Sequence, residues 1–105
     1  MTPAFCPWYP LSDAALHAPR SPGVFQLRLP EGLLEYPLGK SAMVHYEGAR
    51  CLFSSILQYL ENNPNNLLCR HLVIDGDSDP QGMYESVLER FTRRFGAAPN
   101  PNPKR

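Results

Sequence analysis

Cysteine is scarce and scattered in this 105-residue chain, and no Cys-x-x-C pair occurs. The three cysteines, Cys6, Cys51 and Cys69, are an odd number at wide spacing. This pattern excludes a disulfide framework and a cysteine-rich zinc site as the basis of the fold. We therefore expect three reduced thiols in a protein of the cytoplasm, where disulfides are rare.

Net charge is also lacking, because ten basic residues balance ten acidic ones and the isoelectric point is about 6.8. This balance argues against a protein that bulk charge alone holds on nucleic acid or on a membrane, although a local basic patch remains possible. No apolar run approaches the ~20 residues of a membrane helix. The first residues also lack the basic start and apolar stretch of a secretory leader, so we expect no membrane association.

Proline is abundant instead, with 12 residues concentrated at the two ends of the chain. Five prolines lie in the first 22 residues and three lie in the last seven. Because proline removes a backbone donor and fixes φ, both ends are predicted to be irregular or extended. The pattern predicts a Pro-rich N-terminal arm over residues 1–22, one folded domain over 23–98 and a Pro/Asn-rich basic tail over 99–105.

Three short segments have the composition of β-strands. They are residues 24–29, which alternate apolar and polar side chains, residues 42–46, and residues 67–74. The second segment is expected to end at Gly48. Residues 33–41 contain proline and glycine and are predicted to be an irregular connection. Because no helix separates the first two strands, an antiparallel pair is favoured.

Two segments have the apolar spacing of amphipathic helices. Residues 50–61 form the first helix. The second is capped by Ser78 or Asp79, has Pro80 in its first turn and ends at Gly96. The order is therefore β-β-α-β-α, and the fold class is a mixed α/β (α+β) domain. Its expected architecture is a three-stranded antiparallel sheet flanked by helices.

Three short motifs follow one another along these predicted elements. Residues 23–25 are Gly-Val-Phe, residues 36–41 are Tyr-Pro-Leu-Gly-Lys-Ser and residues 46–48 are Tyr-Glu-Gly. In this order they resemble the GIY-YIG nuclease domain, which has Gly-Ile-Tyr and Tyr-Ile-Gly at the outer two positions. One branch of that family has a Tyr-Pro-x-Gly-x-Ser segment between them. The resemblance covers roughly residues 10–102 and implies a small three-stranded antiparallel sheet flanked by helices.

The resemblance implies an endonuclease that hydrolyses phosphodiester bonds with one Mg²⁺ or Mn²⁺ ion. Glu85 stands at the position of the family's metal-binding glutamate, and a carboxylate suits such a hard cation. Read from its helix alone, Glu85 is an ordinary solvated glutamate. Tyr46 stands at the position of the second-motif tyrosine or, alternatively, packs as a buried aromatic. Glu89, one turn later, is expected to pair with Arg93 on the surface.

Two losses in the expected catalytic centre argue against an active enzyme. Phe25 occupies the place of the first-motif tyrosine and has no hydroxyl, so it can pack but cannot carry a proton. The position of the family's helix arginine is occupied by Ser54 or Ser55. Serine has one neutral donor and cannot replace a charged guanidinium that donates two hydrogen bonds to a phosphate. Arg50, at the start of that helix, is the remaining candidate for phosphate contact. Its alternative role is that of a solvated helix-entry residue.

Side-chain alternation along the second strand gives two further predictions. His45 and Glu47 share one face and Tyr46 points to the other. In a catalytic role for His45, His45 and Glu47 together hold a proton or a metal. Alternatively, both are partly exposed residues on the same face of the strand. The resemblance also implies that the rings of Phe25 and Tyr46 lie close together on neighbouring strands. Rings on opposite faces of the sheet would contradict the family assignment.

A local basic patch is predicted near the C-terminus. Residues 79–105 contain five basic and three acidic side chains, a surplus of two positive charges. Arg90, Arg94, Lys104 and Arg105 are therefore candidates for contacts with phosphates that do not depend on sequence. The alternative is a solvated helix face followed by a soluble tail.

Three functions compete for this chain. The first is an active, divalent-metal-dependent GIY-YIG endonuclease, and the third is a protein-interaction domain without a nucleic-acid role. Because of the lost catalytic groups, we predict the second: a degraded nuclease centre kept as a nucleic-acid-associated binding or scaffolding subunit of a larger complex. The expected ligand is DNA ahead of RNA. Zero net charge and scarce lysine predict weak binding without a protein partner.

The aromatic residues of the N-terminal arm have two possible roles. Phe5, Trp8 and Tyr9 lie among prolines and are of the kind that anchors protein interfaces. Alternatively, Trp8 folds back over the domain's own sheet. Deleting residues 1–10 separates the two roles, since an intramolecular cover contributes to stability and an interface anchor does not.

Overall fold

The computed structural model describes residues 4–63, 66–74 and 79–100, and its centre is a four-stranded antiparallel sheet. The strands are β1 (Tyr9–Pro10), β2 (Gly23–Arg28), β3 (Leu34–Tyr36), β4 (Gly39–Ser41), β5 (Met43–Ala49) and β6 (Leu68–Val73). The helices are α1 (Ala14–His17), α2 (Leu52–Asn62) and α3 (Pro80–Phe95), with a 3-10 turn at Leu11–Asp13. The order in the sheet is β1-β6-β2-β5, and β3 pairs with β4 in a separate hairpin.

The predicted β-β-α-β-α core is confirmed as β2, β5, α2, β6 and α3 in a mixed α/β fold. The prediction of a three-stranded sheet is wrong, because β1 of the N-terminal arm adds a fourth strand. Tyr9 lies opposite Cys69 and Pro10 opposite Leu68. Proline is tolerated there because β1 is an edge strand, where one row of backbone donors needs no partner.

The predicted irregular connection over residues 33–41 is in fact the β3–β4 hairpin. Tyr36 pairs with Gly39, so Pro37 and Leu38 form the turn, a position that suits the fixed φ of proline. The Tyr36 hydroxyl donates a hydrogen bond to the carbonyl oxygen of Met43 at 2.5 Å. The Tyr36 ring is buried and therefore anchors the hairpin to the domain.

Helix α3 begins and ends as its local sequence predicts. The Asp79 side chain accepts a hydrogen bond from the backbone N–H of Gln81 at 3.1 Å, and Pro80 is the first helical residue. Gly96 adopts a left-handed φ of 85° and donates its N–H to the carbonyl of Thr92 at 2.7 Å. This backbone conformation favours glycine and ends the helix. Ser78, the alternative predicted cap, lies outside the described residues.

Gly48 lies inside β5, so the prediction that the strand ends there is wrong. Its role is to let α3 approach the sheet. A Cβ atom at Gly48 would lie 2.9 Å from the carbonyl oxygen of Pro80 and 3.0 Å from the Cβ of Tyr84. Any larger residue would therefore push the start of α3 away from β5.

The main hydrophobic core lies between the sheet and α2. It includes side chains from the sheet, from α2 and from the N-terminal arm: Tyr9, Leu11, Ala14, Phe25, Leu27, Leu52, Ile56 and Cys69. The described part of the arm is therefore packed into the folded unit. Helix α3 covers the opposite face of the sheet, where Phe91 contacts Tyr46. Within the described ranges, no helix is long and apolar enough to cross a membrane.

Candidate functional site

A row of three polar side chains crosses three strands on the face that α3 covers. Gln26 of β2 lies directly opposite Tyr46 of β5 and Arg70 of β6. Residues in register on adjacent strands point to the same face of a sheet. The Gln26 side chain is buried, and its Oε1 accepts a hydrogen bond from Arg70 Nε at 2.7 Å. This contact fixes the orientation of the Arg70 guanidinium.

A cleft of about 480 Å³ lies between this row and α3. Among the described residues, the charged groups that line it are Arg70, Arg90 and Arg94, and no carboxylate lines it. Aromatic rings form much of the remaining wall. The Phe91 ring stands edge-on to Tyr46, with 5.5 Å between the ring centroids. The cleft therefore combines positive charge with apolar ring surface.

Burial controls the protonation of the two polar groups at the floor of the cleft. It raises the pKa of Tyr46 to about 12, against a smaller opposing effect of Arg70. The Tyr46 hydroxyl therefore keeps its proton at neutral pH and is available as a hydrogen-bond donor. Burial also lowers the pKa of Arg70, but an arginine remains charged in proteins. Both groups thus favour an anionic ligand.

Arg90 and Arg94 of α3 differ from Arg93 in whether a carboxylate neutralises their charge. Arg93 forms the predicted i,i+4 ion pair with Glu89, and both side chains are exposed. Neither Arg90 nor Arg94 pairs with a carboxylate among the described residues. Because they are four residues apart, Arg90 and Arg94 share one face of α3, the face that lines the cleft. Their charges are therefore available to a ligand.

The structure brings together three of the residues that the sequence analysis selected and adds two that it did not. Tyr46, Arg90 and Arg94 meet in the cleft. Arg70 and Gln26 were missed because neither belongs to a motif and no local pattern shows that the two residues pair across their strands. The only signal in the sequence is that a polar side chain on a strand needs a partner when it is buried.

Phe25 is not part of this site. It lies opposite Glu47 and His71, one position away from the row that contains Tyr46. A shift of one residue places a side chain on the other face of a sheet. The prediction that the rings of Phe25 and Tyr46 meet is therefore wrong, and this placement counts against the family assignment. The fully buried Phe25 ring packs in the α2 core instead.

His45 and Glu47 share a face away from Tyr46, as predicted. The distance from His45 Nε2 to Glu47 Oε1 is 2.9 Å, and both side chains are partly exposed. The His45 ring packs against the ring of Tyr59 in α2, with 4.6 Å between the centroids. Because the sheet separates this pair from the cleft, His45 has no path to a ligand beside Tyr46. The predicted catalytic role for His45 therefore does not fit the cleft.

Glu85, the predicted metal ligand, is exposed on α3 and accepts a hydrogen bond from Gln81 Nε2 at 3.2 Å. With 100° between successive residues, Glu85 lies roughly 140–180° around the helix from Arg90 and Arg94. Among the residues with described positions, no three His, Cys, Asp or Glu side chains are grouped to hold a metal. A Mg²⁺ or Mn²⁺ ion on Glu85 would thus lie away from the cleft and does not fit it.

The remaining selected cations lie elsewhere. Arg50 is exposed and lines a smaller hollow of about 250 Å³ with Asp79 and Gln81 at the start of α3. That hollow already contains the Asp79 carboxylate, and neither Tyr46 nor Arg70 lines it. Lys104 and Arg105 lie outside the described residues. Arg50 therefore does not supply the helix arginine that the resemblance requires.

The N-terminal arm folds back over the arginines, as one of its two proposed roles requires. The Arg70 guanidinium carbon lies 4.6 Å from the ring centroids of both Phe5 and Trp8. The Arg28 guanidinium carbon lies 4.6 Å from the Trp8 ring as well. Stacking of this kind stabilises a partly desolvated cation. Phe5 also lines the cleft, so the arm forms part of its wall.

Comparisons with known proteins do not identify the chain. It matches no protein-family model, no curated protein and no solved structure. The resemblance to the GIY-YIG domain therefore stays a prediction, and the proposals below start from the geometry of the described residues.

Proposed function

We propose that this protein is a nucleic-acid-binding domain that holds a strand in the cleft between α3 and the sheet and does not cut it. The observation that carries the proposal is the convergence of Arg70, Arg90 and Arg94 on one cleft that has no carboxylate among its described lining residues. Proteins that track nucleic-acid strands combine such positive charge with aromatic surfaces on which bases stack. Phe5 and Phe95 provide such rings in the same cleft.

Each polar group of the cleft has a role in binding a phosphodiester. One guanidinium group can donate two parallel hydrogen bonds to phosphate oxygens. Because the donor is charged, these hydrogen bonds are stronger than those from neutral donors. Arg70 is held in place by Gln26, whereas Arg90 and Arg94 reach in from α3. The protonated Tyr46 hydroxyl supplies a neutral donor on the floor of the cleft.

The geometry of the cleft supports a binding function rather than a catalytic one. Hydrolysis of a phosphodiester needs an activated nucleophile and stabilisation of the charge that develops at phosphorus. In the described part of the chain, no carboxylate and no histidine lines the cleft, and Glu85 faces away from it. Loss of a single transition-state donor costs about 10²–10³ in rate, and several expected groups are absent from this cleft.

Binding by the isolated domain is expected to be weak. Three arginines contact at most a few phosphates, and the chain as a whole carries no net charge to attract a polyanion. We therefore place the domain in a larger complex, in which a protein partner contributes further contacts. DNA is the first ligand to examine and RNA the second.

Fluorescence anisotropy with labelled single-stranded and duplex oligonucleotides tests the proposal. We expect R90Q/R94Q to weaken binding at low salt. The slope of log K against log salt should become shallower by about 1.4, since each phosphate contact on a single strand contributes about 0.7. R93Q is the matched control, because Arg93 lies on the same helix but is paired with Glu89.

Two results would contradict the proposal. One is a loss of binding free energy in R93Q that is half of the loss in R90Q/R94Q, the ratio of one removed charge to two, which would indicate that only the overall charge matters. The other is the absence of binding to every oligonucleotide at low salt.

A further inference from the structure

A second group of chemically reactive side chains lies where the N-terminal arm joins β6. The Cys6 sulfur is 3.6 Å from Nδ1 of His71. The same sulfur accepts a hydrogen bond from the backbone N–H of His71 at 3.4 Å. The backbone N–H of Cys6 in turn donates to the carbonyl of His71 at 2.9 Å. These contacts hold the thiol beside the imidazole.

Tyr9 and His17 complete the group. The Tyr9 hydroxyl is 2.9 Å from His71 Nδ1, and the Tyr9 ring is stacked on the His17 ring with 4.5 Å between centroids. Cys6, His17 and His71 line a pocket of about 310 Å³. Cys6 and His71 are half-buried and His17 is exposed, so the sulfur is accessible to a small molecule.

We propose that Cys6 is a nucleophilic thiol that undergoes exchange with small-molecule disulfides in this pocket, and that His71 accepts its proton. The thiol proton passes to His71 Nδ1, and the resulting thiolate attacks one sulfur of the disulfide. A new S–S bond forms to Cys6 as the S–S bond of the small molecule breaks. The departing thiolate takes the proton from His71, so Cys6 is oxidised and one half of the small molecule is reduced.

Two features of the structure prepare Cys6 and His71 for this proton transfer. The backbone N–H of His71 donates to the Cys6 sulfur and holds it beside the ring. The imidazole is also in the form that accepts a proton, since burial lowers the pKa of His71 and keeps the ring neutral. The Tyr9 hydroxyl competes with the Cys6 thiol for the same Nδ1 atom.

The other two thiols lack this arrangement and provide internal comparisons. Cys69 is fully buried, and burial raises the pKa of its thiol to about 12. The Cys51 sulfur accepts a hydrogen bond from the Ser54 hydroxyl at 3.4 Å at the start of α2. This hydrogen bond lowers the pKa of the half-exposed Cys51 thiol, but Cys51 does not line the His71 pocket. Dependence on His71 therefore distinguishes Cys6.

The experiment uses the full chain and glutathione disulfide, and peptide mass spectrometry measures the mixed disulfide at each cysteine over time. In the wild-type protein we expect modification at Cys6 and none at Cys69. In H71Q we expect at least about tenfold slower modification at Cys6, the scale of a lost general base, and an unchanged rate at Cys51. Cys69 reports folding, because it becomes modified only when the core opens.

A second variant keeps the test decisive if H71Q does not fold. Y9F retains the stacked ring and removes the hydroxyl that competes for Nδ1. In Y9F, glutathione disulfide should therefore modify Cys6 faster than in the wild type, while Cys69 stays unmodified. The proposal is overturned if Cys6 stays unmodified in wild type, or if folded H71Q reacts at the wild-type rate at Cys6. It is equally overturned if Y9F leaves the Cys6 rate unchanged or lower.

Discussion

Gln26 and Arg70 are joined across the β2–β6 pair by a 2.7 Å hydrogen bond from Arg70 Nε to Gln26 Oε1. Gln26 is the buried polar member of this contact, with 3% of its surface exposed. A buried amide needs a partner, and a half-buried guanidinium needs an acceptor. Each residue therefore satisfies the other, and the result is an arginine with a fixed direction at the floor of a cleft.

Two substitutions at Gln26 should separate stability from ligand binding. Q26L removes the oxygen that accepts the hydrogen bond of Arg70 Nε. Because this half-buried donor then has lost its partner, the melting temperature should fall by several degrees. Q26E keeps an acceptor oxygen and should melt close to wild type, but it introduces a negative charge into the cleft. Thermal unfolding by circular dichroism and oligonucleotide anisotropy measure the two effects. Wild-type affinity in Q26E would contradict a binding role for this cleft.

Trp8 should contribute measurably to stability, because its ring lies against both Arg28 and Arg70. W8A removes two cation–π contacts, each worth about 0.5–1 kcal/mol or more, and a loss of 1 kcal/mol lowers the melting temperature of a domain this size by about 4–8 °C. L16A is the control, since Leu16 is 82% exposed and should melt like wild type. Equal melting temperatures for W8A and wild type would favour the alternative role of the arm as an interface.

The protein should lose stability on mild acidification through His71. Burial lowers the pKa of His71 in the folded state, so the unfolded chain binds more protons below its ordinary pKa of about 6.5. The stability that the neutral ring contributes is present above pH 6.5 and is lost as the pH falls through the folded-state pKa. Melting temperatures measured from pH 7.5 downwards should fall less steeply for H71Q. A parallel decline in both proteins would show that other groups control acid sensitivity.

We expect negligible nuclease activity with Mg²⁺ or Mn²⁺, because Glu85 faces away from the cleft and Phe25 lies on the other side of the sheet. Plasmid DNA and a structured RNA are the substrates, and gel electrophoresis measures cutting. E89A, one turn along α3, is the control for E85A. Cutting that E85A abolishes and E89A preserves would establish the active endonuclease in place of the binding domain.

Local sequence determined the five elements of the β-β-α-β-α core and the ends of α3. The cap at Asp79, the proline at Pro80 and the glycine at Gly96 act through contacts within a few residues, so they can be read without the rest of the chain. Alternation within one strand likewise placed His45 on the face opposite Tyr46. For the same reason, the spacing along α3 placed Arg90 and Arg94 on one face.

Only the tertiary structure decided which residues of neighbouring strands lie on the same face of the sheet. The pairing of β2 with β5 sets Phe25 against Glu47 and Gln26 against Tyr46, and the motif positions alone indicated the opposite arrangement. Register depends on how both strands pack against the helices on either side, and a difference of one residue exchanges the two faces. Arg70 joins Tyr46, and the arm covers Arg70, through contacts between residues far apart in the chain. No local pattern encodes such contacts, because they form only when the whole sheet is assembled.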